Sequence, residues 1–289
     1  MAHKIKLCSI WNIAKSEYIK WVTNPRIVTI GILITFIHSF AIQPMIQRAE
    51  KYGEPLNVFE PFLAVCNSGM MMLFIPIVFI LQMSDFPVMG GNTMFVVQRA
   101  GKYNWFIGQI VFVFMCIFSY LVTIILSCMI MSKGTFQNNW SHSISLYDST
   151  FQDEAGGFVS KLLPPNLYNQ IPLSIALRDT IILLILCLLM FTLILSLMKM
   201  LYLRTVGLFT VLTLCALGAV SCALKAPIQW FFPTSNTIIW LHYNELLREN
   251  GNPLLGSYLY FIVVNIILLA LNIIVLNKLQ YRNIEMEGD

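Results

Sequence analysis

The chain has 289 residues, of which 57% belong to the apolar and aromatic set and only 11% are charged, with a mean hydropathy of +0.73. A soluble domain carries about a quarter charged residues and must present a hydrated exterior. A soluble enzyme, a nucleic-acid-binding domain and a disordered chain are therefore excluded, and a polytopic membrane protein of a few helical spans is left. The formal net charge is +4, and in such a protein the placement of the charges matters more than their sum.

Residues 1–25 are expected to form an interfacial amphipathic helix. Leu7, Ile10, Trp11, Ala14, Tyr18, Trp21 and Val22 recur at helical spacing, with Lys6, Ser9, Lys15, Ser16 and Lys20 largely outside that stripe. Lys15, Glu17 and Lys20 interrupt the apolar run, which is not the pattern of a signal peptide. Six uncharged runs follow at Ile27–Pro44, Pro61–Met83, Trp105–Met131, Thr180–Met198, Val206–Leu224 and Leu254–Leu276. Each is long enough to cross a bilayer as a helix. The expected fold is thus an all-α membrane protein with one transmembrane domain over 1–289. An open sheet would leave backbone groups unsatisfied in lipid, and no run alternates as a barrel strand does.

With the N-terminus in the cytosol, eleven Lys and Arg residues lie inside and seven outside, so the positive-inside rule predicts that both termini are cytosolic. Segments 132–177 and 225–253 are then extracellular. The seven cysteines form no CxxC pair, sit mostly in apolar runs and are expected to be free, as suits a bacterial plasma membrane. Asn139-Trp140-Ser141 is a chance glycosylation sequon on that reading.

No GxxxxGK[ST] loop, HExxH or GxSxG occurs, so the chain is not expected to be an enzyme, to hold a metal or to bind ATP in that manner. His38 is the one histidine in a span, and no span interior holds a carboxylate that would serve a proton- or sodium-coupled carrier. Ser39, Asn67, Ser68, Ser119, Ser127, Ser196, Asn265 and Asn272 are expected chiefly to join helices by hydrogen bonds. His38, Asn67, Ser119 and Asn265 are also the candidate polar anchors of a largely apolar substrate path.

The loop over 85–103 is the most informative stretch outside the spans. Asn92 or Thr93 caps a short helix, Met94, Phe95, Val97 and Gln98 follow, and Gly101 ends it. Such an apolar helix facing water needs a partner to cover it. In the outer segment, Trp230, Phe231, Phe232, Trp240 and Tyr243 cluster, and Asn236 is expected to cap a helix running to Leu247.

These residues resemble an ABC-2 type permease, the membrane subunit of an ATP-binding-cassette exporter. Members carry after span two an acidic residue, a Gly-Thr-Leu-like step, an apolar run, an Arg, and a Gly-Lys/Gln entering span three. Here Asp85, Gly91-Asn92-Thr93-Met94, Phe95-Val96-Val97, Arg99 and Gly108-Gln109 stand in those places. Phe86-Pro87 and Ala100 depart from the pattern. The resemblance implies that Asp85, Gly91, Thr93, Met94, Phe95, Val97, Arg99 and Lys102 form a coupling helix that docks on separate ATPase subunits, where ATP and Mg would be bound. It implies a second copy or a similar permease as partner, membrane lipid around it, no cofactor in this chain, and re-entrant helices placing Trp230, Phe231, Phe232 and Trp240 at an outer gate. The substrate would be amphipathic or lipophilic: an antimicrobial peptide, a lipid-like molecule or a drug. The alternative is a non-transporting anchor or sensor for a cytosolic partner.

Overall fold

The structure, a computed structural model, describes residues 6–69, 71–89, 93–154, 156–243 and 253–278. Among the described residues every regular element is helical, and Asn57 and Thr135 form one isolated parallel bridge. Five helices are long and apolar enough to cross a membrane, and a sixth crossing is available if one bent pair spans as a unit.

The amphipathic stripe at the N-terminus forms α1, Leu7–Val22, which buries Ile10, Ala14 and Trp21 and leaves Leu7, Trp11, Ile19 and Val22 exposed. Asn24 then accepts a 2.9 Å hydrogen bond from the Arg26 N–H, and Pro25 stands where a helix start needs no donor. From there α2 runs Pro25–Tyr52, eight residues past the Pro44 expected as the end of span one. The reason is local. A π-helical segment, His38–Ile42, loosens the ladder just ahead of Pro44, so the missing proline N–H is accommodated rather than breaking the helix. Met45, Arg48 and Ala49 continue the buried face, and Gly53, at φ +89°, ends it.

Span two was expected as one helix over Pro61–Met83. It is instead α3, Glu60–Asn67, and α4, Met71–Gln82, meeting at 84°. Ser68 is extended at the break. All eight residues of α3 are buried, which is the setting in which an interrupted backbone survives at membrane depth. The short helix α5 is Thr93–Ala100, and α6 is Lys102–Ser132. Five short turns follow in the segment expected as an outer loop: α7 His142–Ser145, α8 Tyr147–Thr150, a 3₁₀ turn at Gln152–Glu154, α9 Phe158–Leu162 and α10 Pro165–Tyr168.

Helix α11, Leu173–Met200, starts seven residues earlier than its uncharged run. It is the centre of the bundle: 61% of its apolar window is buried, against 22–39% for the other four long helices. Helix α12 is Arg204–Ala223. The expected helix from Asn236 to Leu247 is corrected. Asn236 lies inside the short α13, Pro233–Thr237, followed by a 3₁₀ turn at Ile239–His242, and the remainder of that expectation lies outside the described residues. The last helix, α14, is Leu254–Lys278.

Helices α11 and α14 pack in parallel. Tyr258 donates to Asp179 at 3.0 Å, the Asn265 amide to the Leu186 carbonyl at 3.1 Å, and the Asn272 amide to the Leu193 carbonyl at 3.1 Å. Both partners advance by seven residues at each step, the repeat that keeps one seam facing another over several turns. The helix ends sort into two groups. Arg26, Asp85, Lys199 and Arg204 meet at one end, where Tyr103 at the start of α6 also bonds Asn277 at the end of α14. Glu60 with Ser141, Arg48 with Asp148, and Asn166 with Trp240 close the other. The ends that the charge distribution placed together are therefore together.

Candidate functional site

At the first of these ends, the chain leaves α4 through Asp85. Its carboxylate accepts from Arg26 at 2.5 Å and from Arg204, and its backbone carbonyl accepts from the Lys199 ammonium at 2.7 Å. One residue thus ties the starts of α2 and α12 and the end of α11 to the loop that enters α5. Phe86 is buried beside Phe112, ring centroids 6.1 Å apart, and fixes the next step of the loop. Gly91 lies outside the described residues.

The stop signal of α5 falls where the sequence placed it, while Asn92, one of the two expected caps, lies outside the described residues. Thr93 opens it, with its hydroxyl 3.3 Å from the Val88 carbonyl. Gly101, at φ +89°, ends it by giving its N–H to the Val97 carbonyl at 2.8 Å. Val97 is its one buried residue, packed in a small apolar cluster with Trp105, Phe106, Met200 and Leu276. These come from the start of α6 and the ends of α11 and α14. The opposite face is open: Phe95 is 70% exposed, and Val96 and Arg99 stand beside it in solvent. Met94 and Lys102 are half-buried at the helix flanks. A helix of eight residues is thus held by one apolar anchor and presents an aromatic ring and a cation outward.

Beside it, α1 packs on α6. The close approach needs Gly108, because a Cβ there would stand 2.9 Å from Ile13 Cγ2 and 3.1 Å from the Ile10 carbonyl oxygen. The polar arc of α1 and the flank of α5 then enclose an open groove of about 940 Å³, with Lys6, Asn12, Ser16, Lys20 and Arg99 among its walls.

The four candidate path residues sit in different settings. The Asn67 amide donates to the Leu63 carbonyl and the Thr180 hydroxyl, both at 3.0 Å, and its side-chain oxygen accepts from the Ile239 N–H at 2.9 Å. It fills the break between α3 and α4. Ser119 shares a 2.7 Å bond with Tyr18 of α1, and Asn265 belongs to the α11–α14 seam. His38 is half-buried where the π segment begins. Asn67, Ser119 and Asn265 join helices, as their mild character suggested.

The aromatic group at the other end is also divided. Trp240 donates its indole N–H to the Asn67 carbonyl at 2.7 Å and so covers the helix break from the end opposite the Asp85 hub. Trp230 stacks near His242, centroids 4.8 Å apart. Phe231 is 76% exposed on the bundle surface and Phe232 is half-buried. Gly218 lets this segment lie on α12, since a Cβ would meet Thr234 Oγ1 at 1.8 Å.

Several buried polar clusters gave no sign in the sequence. Glu60, fully buried, accepts from the Asn57 N–H at 2.9 Å and from the Ser141 N–H and hydroxyl at 2.6 and 2.8 Å. Arg48 reaches Asp148, Ser160 and the carbonyls of Ser143 and Ile144, with the Tyr147 ring 4.2 Å from its guanidinium carbon. Ser257 bonds both His242 and Asn236. Their partners lie far apart in sequence or in unremarkable loops, so no spacing rule exposes them. Among the described residues no group of His, Cys, Asp and Glu is placed to hold a metal. No family model, curated protein or solved structure matches this chain.

Proposed function

We propose that this chain is the membrane-spanning subunit of an ATP-binding-cassette exporter, paired with a second copy or a similar permease and powered by separate ATPase subunits. The observation that carries the reading is α5: a short helix anchored by Val97 to the ends of three long helices, with Phe95, Val96 and Arg99 turned outward. A patch of this kind in water is a docking surface rather than a resting surface. The Asp85 hub would pass movement of that helix to α2, α11 and α12. The membrane-facing residues are apolar and the seams mildly polar, which favours an amphipathic or lipophilic substrate, exported from a plasma membrane with both termini cytosolic.

The test is copurification of ATPase subunits with the tagged full-length chain. Phe95→Ser combined with Arg99→Glu should abolish capture while leaving the unfolding transition within error of the parent. Capture unaffected by the double substitution, or a parent that captures no nucleotide-hydrolysing chain, would overturn the reading and leave an anchor for some other cytosolic protein.

A further inference from the structure

A second, smaller chamber of about 170 Å³ lies between the end of α1, the end of α4 and α6. Its walls include Glu17, Lys20, Trp21, Gln82, Asp85 and Phe86. It adjoins the open groove, since Glu17 and Lys20 line both. Three wall residues carry hydrogen-bonding atoms without partners. Gln82 is 6% exposed and neither its amide nitrogen nor its oxygen is bonded; Trp21 is 8% exposed and its indole N–H is unbonded; Glu17 Oε2 is unbonded although Oε1 holds Lys20. Each such buried group left unmet carries a desolvation penalty that a partner would relieve. Three together at one chamber point to an occupant.

We propose that the chamber binds the headgroup of a phosphoethanolamine lipid. The location sets the class: α1 exposes Trp11, Ile19 and Val22 along its other flank, which places it at headgroup depth, where amphipathic helices lie. The charges set the net charge of the ligand. Glu17 is paired with Lys20, and Asp85 is held by Arg26 and Arg204 from outside the chamber, so every charged wall group already has its counter-ion and a zwitterion fits. The unmet atoms set the hydrogen-bonding pattern. The Trp21 N–H and Gln82 amide N–H groups seek an acceptor, which a phosphodiester supplies. Glu17 Oε2 and the Gln82 oxygen seek N–H donors, which a primary ammonium supplies. A quaternary ammonium has no N–H to give, and a glycerol headgroup brings no cation. The chamber has room for about five groups of water size at ~30 Å³ each, enough for a phosphate and a two-carbon amine.

The proposal stands apart from the exporter reading, since it needs the isolated chain alone. The full-length protein is delipidated in detergent and offered equimolar lipids of one acyl composition with ethanolamine, choline or glycerol headgroups, and retained lipid is counted by native mass spectrometry. One ethanolamine lipid should be retained about tenfold over the others, roughly the worth of one charge-assisted hydrogen bond. Gln82→Leu, which removes the amide while keeping an apolar volume, and Glu17→Gln on the open wall should each bring the three headgroups to near parity. Equal retention of all three in the parent overturns the proposal, as does an ethanolamine preference that survives both substitutions. A chamber that retains no lipid and holds water alone overturns it as well.

Discussion

Gly108 is the position where a single added methyl group should move a whole element. The Cβ of Gly108→Ala would lie 2.9 Å from Ile13 Cγ2, 3.0 Å from Ile13 Cβ and 3.1 Å from the Ile10 carbonyl oxygen. Two of these three neighbours are a branched stem and backbone, which no rotamer change withdraws. Relief therefore requires α1 to retreat from α6. Overpacking of this kind costs about 1–3 kcal/mol, and the rigidity of the contact places this site at roughly 2–3 kcal/mol on that scale. Replacing a mid-helix glycine by alanine returns about 1 kcal/mol of helix propensity. The net is a destabilisation of roughly 1–2 kcal/mol, with Ile10, Ala14 and Trp21 becoming more exposed. Gly31→Ala is the control, because its Cβ meets nothing within 4 Å, and it should leave stability equal or slightly raised. Equilibrium unfolding in mixed micelles measures both, and Trp21 fluorescence reports the displacement of α1. If Gly108→Ala and Gly31→Ala prove equally stable, the account of how α1 is seated is wrong, and with it the walls of the groove and of the chamber.

Arg48→Met should cost about 3–5 kcal/mol, the penalty for stripping one partner from a buried ion pair, because Asp148 loses its cation and Ser160 one of its partners. Unfolding measurements on Arg48→Met, Asp148→Asn and the pair should show strong coupling, and additive effects would refute the buried network. At Glu154 the hydrogen bond from Lys51, then the one from Tyr147, hold the carboxyl below its ordinary value. The sign follows: the stabilisation is fully present above the unfolded value and is lost as pH falls through the lower folded one. The pH dependence of unfolding should flatten across that acid window in Glu154→Gln, and an unchanged profile would refute the pairing. The pair is solvent-exposed, so the effect should also shrink with added salt.

The spans were legible because lipid imposes one requirement, an uninterrupted apolar run whose backbone bonds itself. The end of α5 was legible too, since Gly101 acts on its own backbone and needs no distant partner. The break in span two left a trace in Asn67-Ser68-Gly69, a turn-forming cluster inside an apolar run. Length and hydropathy outweighed it. Only the folded chain shows why the break is tolerated: Ile239 and Trp240, from a segment over 170 residues later, meet the groups it exposes. The extension of α2 was masked in the opposite way. Arg48, Glu50 and Lys51 read as loop, although Met45, Arg48, Ala49 and Tyr52 continue a helical face.

The sequence places its charges at run boundaries and in loops, with no carboxylate inside an uncharged run. Arg48, Glu60, Asp179 and Lys199 are nevertheless buried, each where a helix runs past its apolar segment into a polar cap or hub. Low charge content in this chain is therefore no measure of how few charges are structural. Asp179 is met by Tyr258 of the neighbouring helix α14, whereas Arg48, Glu60 and Lys199 are met largely by loop segments whose own sequences carry no periodic signal. The same logic separates α5 from the aromatic cluster around Trp240. Trp240 has its cover within the chain, in the break at Asn67, whereas Phe95 has none among the described residues. An aromatic ring in a polar segment becomes an argument for a partner only after the fold has shown that the chain itself does not cover it.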